Sequence, residues 1–143
     1  MNSDYKVRLI VLSHGSFAKG LVETSMMLFG QTGRNNVYPI CLGPEENTDE
    51  YLKRVTEKLE DPERTLVLID IYGGSPFNTV VKLSREKKIY ALAGINVPLM
   101  LEILVRRETM SAREILEEVT QLAEGSIVNV TNVIEERLKK QGE

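Results

Sequence analysis

The chain has 143 residues, 42% hydrophobic and 27% charged, which suits one compact globular domain with a sizeable core. Lys and Arg total 18 against 21 Asp and Glu, and the net charge of −3 argues against binding a phosphate backbone, so no nucleic-acid partner is expected. A single cysteine, Cys41, and a single histidine, His14, exclude an intrachain disulfide and a zinc framework, and neither a metal nor a cofactor is expected.

Residues 1–5 lack the basic-then-apolar layout of a signal peptide, and the apolar stretch 97–105 is too short to span a bilayer and is broken by Glu102. A cytoplasmic protein is expected. Residues 7–12 predict a strand, whose apolar run Leu9-Ile10-Val11-Leu12 ends at Ser13-His14-Gly15. A helix is predicted over 17–29, with Ala18, Leu21, Val22, Met26 and Phe29 on one face, Ser16 as N-cap and Gly30 past its end. Residues 37–41 make a second strand. After the Gly43-Pro44 turn, Asn47 and Glu50 suit a capping box for a helix that buries Tyr51, Leu52, Val55 and Leu59 and stops at Asp61-Pro62.

Residues 66–69 are apolar on both faces, as a central parallel strand requires, and end in Asp70. Tyr72-Gly73-Gly74-Ser75-Pro76 reads as a tight turn in which Ser75 caps the next helix and Pro76 takes its first position; that helix runs to about Ser84. Residues 89–93 give a fourth strand and Gly94-Ile95-Asn96 another turn. Pro98 opens an apolar helix closed by Arg106-Arg107, whose charges complement its C-terminal dipole. Ser111 and Glu114 form a second capping box for a helix with Ile115, Leu116, Val119, Leu122 and Ala123 inward, ended by Gly125. Residues 126–131, rich in β-branched side chains, predict a late strand, and 133–140 a short terminal helix.

Alternation of strand and helix predicts a single α/β domain over 1–143: an open, mainly parallel, doubly wound sheet in the flavodoxin-like order 2-1-3-4, with the late strand antiparallel. The turns after strands one, three and four then share one edge, where ligands of such sheets bind, and they bring together His14, Asp70, Ser75 and Asn96. Strands one and three are neighbours, so Asp70 reaches one ring nitrogen of His14 while the other faces solvent. A carboxylate at the end of an apolar run is costly unless paired. Paired with an imidazole, it fixes the tautomer and leaves the opposite nitrogen a neutral nucleophile.

Phosphorus is the natural electrophile at such a site, because helices starting near Ser16 and Pro76 aim N–H groups at the same edge and Ser75 adds a hydroxyl. Gly15-Ser16-Phe17-Ala18-Lys19-Gly20 has the glycine spacing of a P-loop, but Leu21-Val22 stand where Lys and Ser or Thr belong. With no nucleotide motif, a phosphoryl group has to arrive already activated on another protein. Each residue also has a plainer reading: His14 as a loop histidine, Asp70 as a turn former, Ser75 as a cap, Gly73-Gly74 as the turn alone. Two other functions use the same edge. A small hydrolase would take Ser75 as nucleophile with His14 and Asp70 behind it, although no Gly-x-Ser-x-Gly elbow exists and Pro76 lacks an oxyanion-hole N–H. A flavin or nucleotide binder would need a phosphate-cradling glycine loop that the sequence does not contain.

Ser13-His14-Gly15, then Asp70-Ile71-Tyr72-Gly73-Gly74-Ser75-Pro76-Phe77-Asn78, then Ala93-Gly94-Ile95-Asn96-Val97-Pro98-Leu99-Met100 resemble, in order and spacing, the enzyme IIA component of the mannose-family sugar phosphotransferase system. The resemblance covers about residues 7–123, and Gly-Gly-Ser-Pro-Phe-Asn is its most specific block. It implies a phosphocarrier that accepts a phosphoryl group on Nε2 of His14 from HPr and passes it to a histidine of a IIB component. Asp70 would hold Nδ1, and Ser75 would supply donors. Ser13, Gly15, Tyr72, Gly73, Gly74 and Asn96 become candidates for contact with the phosphoryl group or partner, and Phe17, Tyr72, Phe77, Ile95 and Leu99 for an apolar docking rim. Ser13 replaces the family's usual threonine and keeps the hydroxyl. The resemblance further implies a IIB partner on a separate chain, membrane IIC and IID components met only indirectly, and a homodimer that exchanges the late strand. Residues 139–143 are expected to fray.

Overall fold

A computed structural model describes residues 6–142; the signal-peptide reading of residues 1–5 and the end of the chain at Glu143 lie outside them. Four strands, β1 (Arg8–His14), β2 (Val37–Leu42), β3 (Thr65–Ile69) and β4 (Tyr90–Ala93), form one sheet in the order β2-β1-β3-β4. Every pairing is parallel, with Leu12 opposite Ile40 on one side and Ile69 on the other. Side chains alternate across the sheet, so β1 sends Leu9 and Val11 into one core and Ile10 and Leu12 into the other. Five helices follow the expected bounds closely: α1 (Phe17–Phe29), α2 (Thr48–Lys58), α3 (Gly74–Leu83), α4 (Val97–Arg106) and α5 (Ala112–Leu122). Residues of α1, α4 and α5 fill the first core, and residues of α2 and α3 the second.

The outer strand β2 carries Pro39. Leu9 N–H donates to the carbonyl of Asn36 and Gly15 N–H to that of Leu42, so the even-numbered residues turn their backbone groups toward β1. Pro39 therefore places its missing N–H on the open side, costing the ladder nothing and denying a donor to any strand arriving there.

At the amino ends of the strands, Arg107 is 1% exposed. Its guanidinium donates to the carbonyls of Gly33 at 2.8 Å, Asn35 at 2.6 Å and Asn36 at 3.4 Å. Burial draws its basicity down, and Glu108 offsets part of that. Asn36 makes this cluster possible by adopting φ +59°, a left-handed conformation that asparagine tolerates better than most residues. Arg107 therefore ties the α4 exit to the β2 entry instead of merely meeting a helix dipole.

Several boundaries differ from expectation. The α3 helix begins at Gly74 with Gly73 at its N-cap position, so Ser75 lies inside the first turn and does not cap. Asn47 caps α2 by accepting from the N–H groups of Asp49 and Glu50, while Glu46 rather than Glu50 turns back, onto Gly43 N–H. The Ser111–Glu114 capping box is complete. Gly125 does not end α5, because the chain tightens into a 3₁₀ turn over Ala123–Ser126.

The predicted late antiparallel strand is absent among the described residues. Residues 127–129 leave the 3₁₀ turn without pairing, and α6 (Val130–Gln141) follows, reaching closer to the chain end than the expected fraying allows. Asn129 accepts from Asn132 N–H as an N-cap, and the strong helix formers from Glu135 to Gln141 outweigh the strand preference of Val130, Thr131 and Val133. No residue of α6 is buried.

Candidate active site

His14 is the last residue of β1, which runs two residues beyond the expected end at Leu12. Its neighbour Ser13 is fully buried and is the true cap of α1. The Ser13 hydroxyl accepts from Ala18 N–H at 2.8 Å and donates to the carbonyl of Gly15 at 3.1 Å, whereas Ser16 makes no side-chain cap bond. Ser13 thus fixes the turn that carries His14 from strand to helix. Gly15 enters that turn at φ +55° and donates its N–H to the carbonyl of Leu42.

Because β1 and β3 are adjacent, Asp70 stands beside His14, as the strand order predicted. Its Oδ2 lies 2.9 Å from Nδ1 of His14 and also accepts from the His14 backbone N–H at 2.8 Å. Its Oδ1 accepts from Ile71 N–H at 2.9 Å. Two backbone donors therefore aim the carboxylate before the ring is considered. A carboxylate accepts and does not donate, so Nδ1 carries the ring proton and Nε2 presents a lone pair. The His14 side chain is 48% exposed and that of Asp70 only 15%, so the hydrogen-bonded pair joins a half-open imidazole to a largely covered carboxylate.

Gly74 lies against the Cε1–Nε2 side of the ring, away from Nδ1. A Cβ added there would be 2.9 Å from Cε1 and 3.0 Å from Nε2 of His14, closer than packed side chains tolerate, and the residue also holds φ +86°. Glycine is therefore required twice, for the turn and for the approach of backbone to imidazole. Beyond it Ser75 supplies an N–H that the first turn of α3 leaves unbonded, and Pro76 has none to give. A half-exposed imidazole with an available Nε2, a braced proton on the opposite nitrogen, and backbone donors at a helix start suit transfer of an anionic group.

The remaining candidates divide. Phe17 is 44% and Tyr72 81% exposed, and Ile71, which sequence reasoning passed over, is 57% exposed beside them. Phe77 is half-buried, its ring 4.9 Å from that of Tyr72. Ile95 and Leu99 are buried in the first core and do not belong to a rim. Asn96 caps α4, its Oδ1 accepting from Leu99 N–H and its amide donating to Ser126, so its side chain is committed away from the imidazole. The Ser75 hydroxyl makes no hydrogen bond to His14 or Asp70, and the relay a serine hydrolase would need is not assembled.

The geometry is that of a small α/β protein offering one carboxylate-braced histidine at the carboxyl edge of its sheet. The family model described as "PTS system fructose IIA component" matches residues 8–120, and the chain belongs to this mannose-type EIIA family, phosphotransfer proteins of sugar uptake. The chain is 29% identical over 138 residues to the PTS system fructose-specific EIIA component of Bacillus subtilis, covering 94% of this chain and 90% of that one. It is 32% identical over 106 residues to the PTS system mannose-specific EIIAB component of Escherichia coli, covering 71% of this chain but only 32% of that longer protein. Among solved structures, the PTS IIA protein associated with the fucose utilization operon of Streptococcus pneumoniae superposes with a TM-score of 0.76 at 30% identity, covering 91% of this chain and 97% of that one.

Proposed function

We propose that this chain accepts a phosphoryl group on Nε2 of His14 from the phosphohistidine of HPr and passes it to a histidine of a IIB component on another chain. The observation that carries the reading is the 2.9 Å contact between Nδ1 of His14 and the twice-anchored carboxylate of Asp70. The Nε2 lone pair attacks phosphorus, the donor's N–P bond breaks, and its electron pair returns to the donor ring. Nδ1 keeps its proton throughout, and Asp70 stabilises the positive character the ring acquires. First-turn N–H groups of α3 then meet the phosphoryl oxygens. No cavity need close over this centre, because exposed Phe17, Ile71 and Tyr72 form an apolar rim on which a partner protein can dock and exclude water itself.

The chain works in the cytoplasm in this scheme, and the membrane IIC and IID components meet it only through IIB. No helix among the described residues is long and apolar enough to cross a membrane. It further acts as a homodimer, supported by Ile127, Val128, Val130, Ile134 and Leu138, which are 50–81% exposed on the connector and α6. With no strand there to exchange, the helix and its connector are the surface offered to a second copy. Sedimentation velocity at micromolar concentration should give a dimer, and a monomer rejects that part.

The central test is mass spectrometry after incubation with phosphoenolpyruvate, enzyme I and HPr. One phosphate should appear, labile in acid and stable in base, and Ser75→Ala should keep it while slowing transfer only in part. Acid-stable phosphate, or none with charged HPr present, defeats the phosphocarrier reading.

A further inference from the structure

Along α3, away from the imidazole, a groove of about 300 Å³ is lined by Thr48 at the start of α2 and by Ser75, Asn78, Thr79, Lys82 and Arg85. The last five recur at helical spacing and so share one face. The lining is graded. Hydroxyl and amide groups occupy the end near the sheet's carboxyl edge, and two cations occupy the other. No carboxylate lines the groove, and among the described residues neither Lys82 nor Arg85 forms an ion pair, although Arg54 on the neighbouring α2 is held by Glu46. Two unpaired cations facing a shared concavity raise its potential and favour an anion.

We propose that this groove binds a phosphorylated sugar, with the phosphate on Lys82 and Arg85 and the sugar hydroxyls on Asn78, Ser75 and Thr48. Lys82 is seven positions after Ser75 on the helix, about 10 Å at 1.5 Å per residue, which matches the length of a hexose phosphate. An extended peptide would place only about three residues in that span, too few for specific capture. The volume is at the lower end of small-ligand sites and fits one such molecule. Ser75 directly follows Gly74, which packs against the His14 ring, whereas His14 itself does not line the groove, so a ligand seated there leaves the imidazole outside its site. Binding of this kind requires no phosphoryl transfer and stands or falls separately from the phosphocarrier reading.

Amide shifts of the isotopically labelled protein, titrated with glucose 6-phosphate, inorganic phosphate or glucose, test the proposal directly. Glucose 6-phosphate should give saturable shifts at Ser75, Asn78 and Lys82, with inorganic phosphate at least tenfold weaker and glucose without effect. Lys82→Ala and Arg85→Ala, both at exposed positions, should each weaken glucose 6-phosphate at least fivefold with the spectrum elsewhere unchanged. Absence of saturation, equal affinity for inorganic phosphate, or an affinity untouched by both substitutions overturns the proposal.

Discussion

Two basic side chains mark opposite ends of the same sheet, and they are treated in opposite ways. Arg107, at the amino ends of the strands, is closed off and spends its donors on three backbone carbonyls. His14, at the carboxyl ends, has one nitrogen fixed by Asp70 and the other left open on a half-exposed ring. What separates structure from chemistry here is an incomplete set of partners: a group satisfied on every side holds the fold, and one satisfied on one side only is poised to react.

The strongest way to break the contrast is His14→Ala. Phosphoryl acceptance should fall below detection, about a thousandfold or more, because no second histidine exists to take its place, while the thermal midpoint barely moves. Arg107→Met should do the reverse. Removing the guanidinium strands buried carbonyls and should cost about 3 kcal/mol in urea unfolding, with the acceptance rate of the folded fraction unchanged.

Asp70→Asn sharpens the electrostatic part. It keeps an oxygen for Nδ1 but removes the charge that favours a positive ring, so the transfer rate in rapid-quench kinetics should drop about tenfold to a hundredfold. Gly74→Ala presses on the ring at Cε1 and Nε2; strain at φ +86° should cost about 1–2 kcal/mol, and acceptance should slow as the imidazole is displaced. Ser13→Ala is the mildest. Losing the bond to Ala18 N–H should lower stability by about 1 kcal/mol, read as a shift in thermal midpoint, with at most a modest loss of rate.

The half of the contrast that involves His14 was readable from sequence, because it depends on strand order. An apolar run ending in Asp70 beside one ending in Ser13-His14 is enough to pair them once strands one and three are neighbours. The Arg107 half was not readable. A basic residue at a helix end has a sufficient local explanation in the dipole, and nothing local shows that Gly33, Asn35 and Asn36 turn their carbonyls to a common point. The caps tell the same story. Asn47 and Ser111 act within their own helices and were foreseen, whereas Ser13 caps α1 from five residues before Ala18 and displaces the nearer Ser16. Residues 126–131 misled because β-branched composition describes a preference for extended backbone, and only pairing makes that a strand.

Pro39 has one further consequence, for how many copies can join. With the outer side of β2 lacking a donor at its middle, β4 is the outer strand free to take another, and among the described residues no backbone bond reaches its outer side. Two molecules meeting edge to edge must each offer β4, a contact that is the same patch on both and related by a twofold axis. Once made, it leaves only the proline-bearing edges outward. Further sheet extension would have to start from the proline-bearing strand, whose missing donor works against fibre formation.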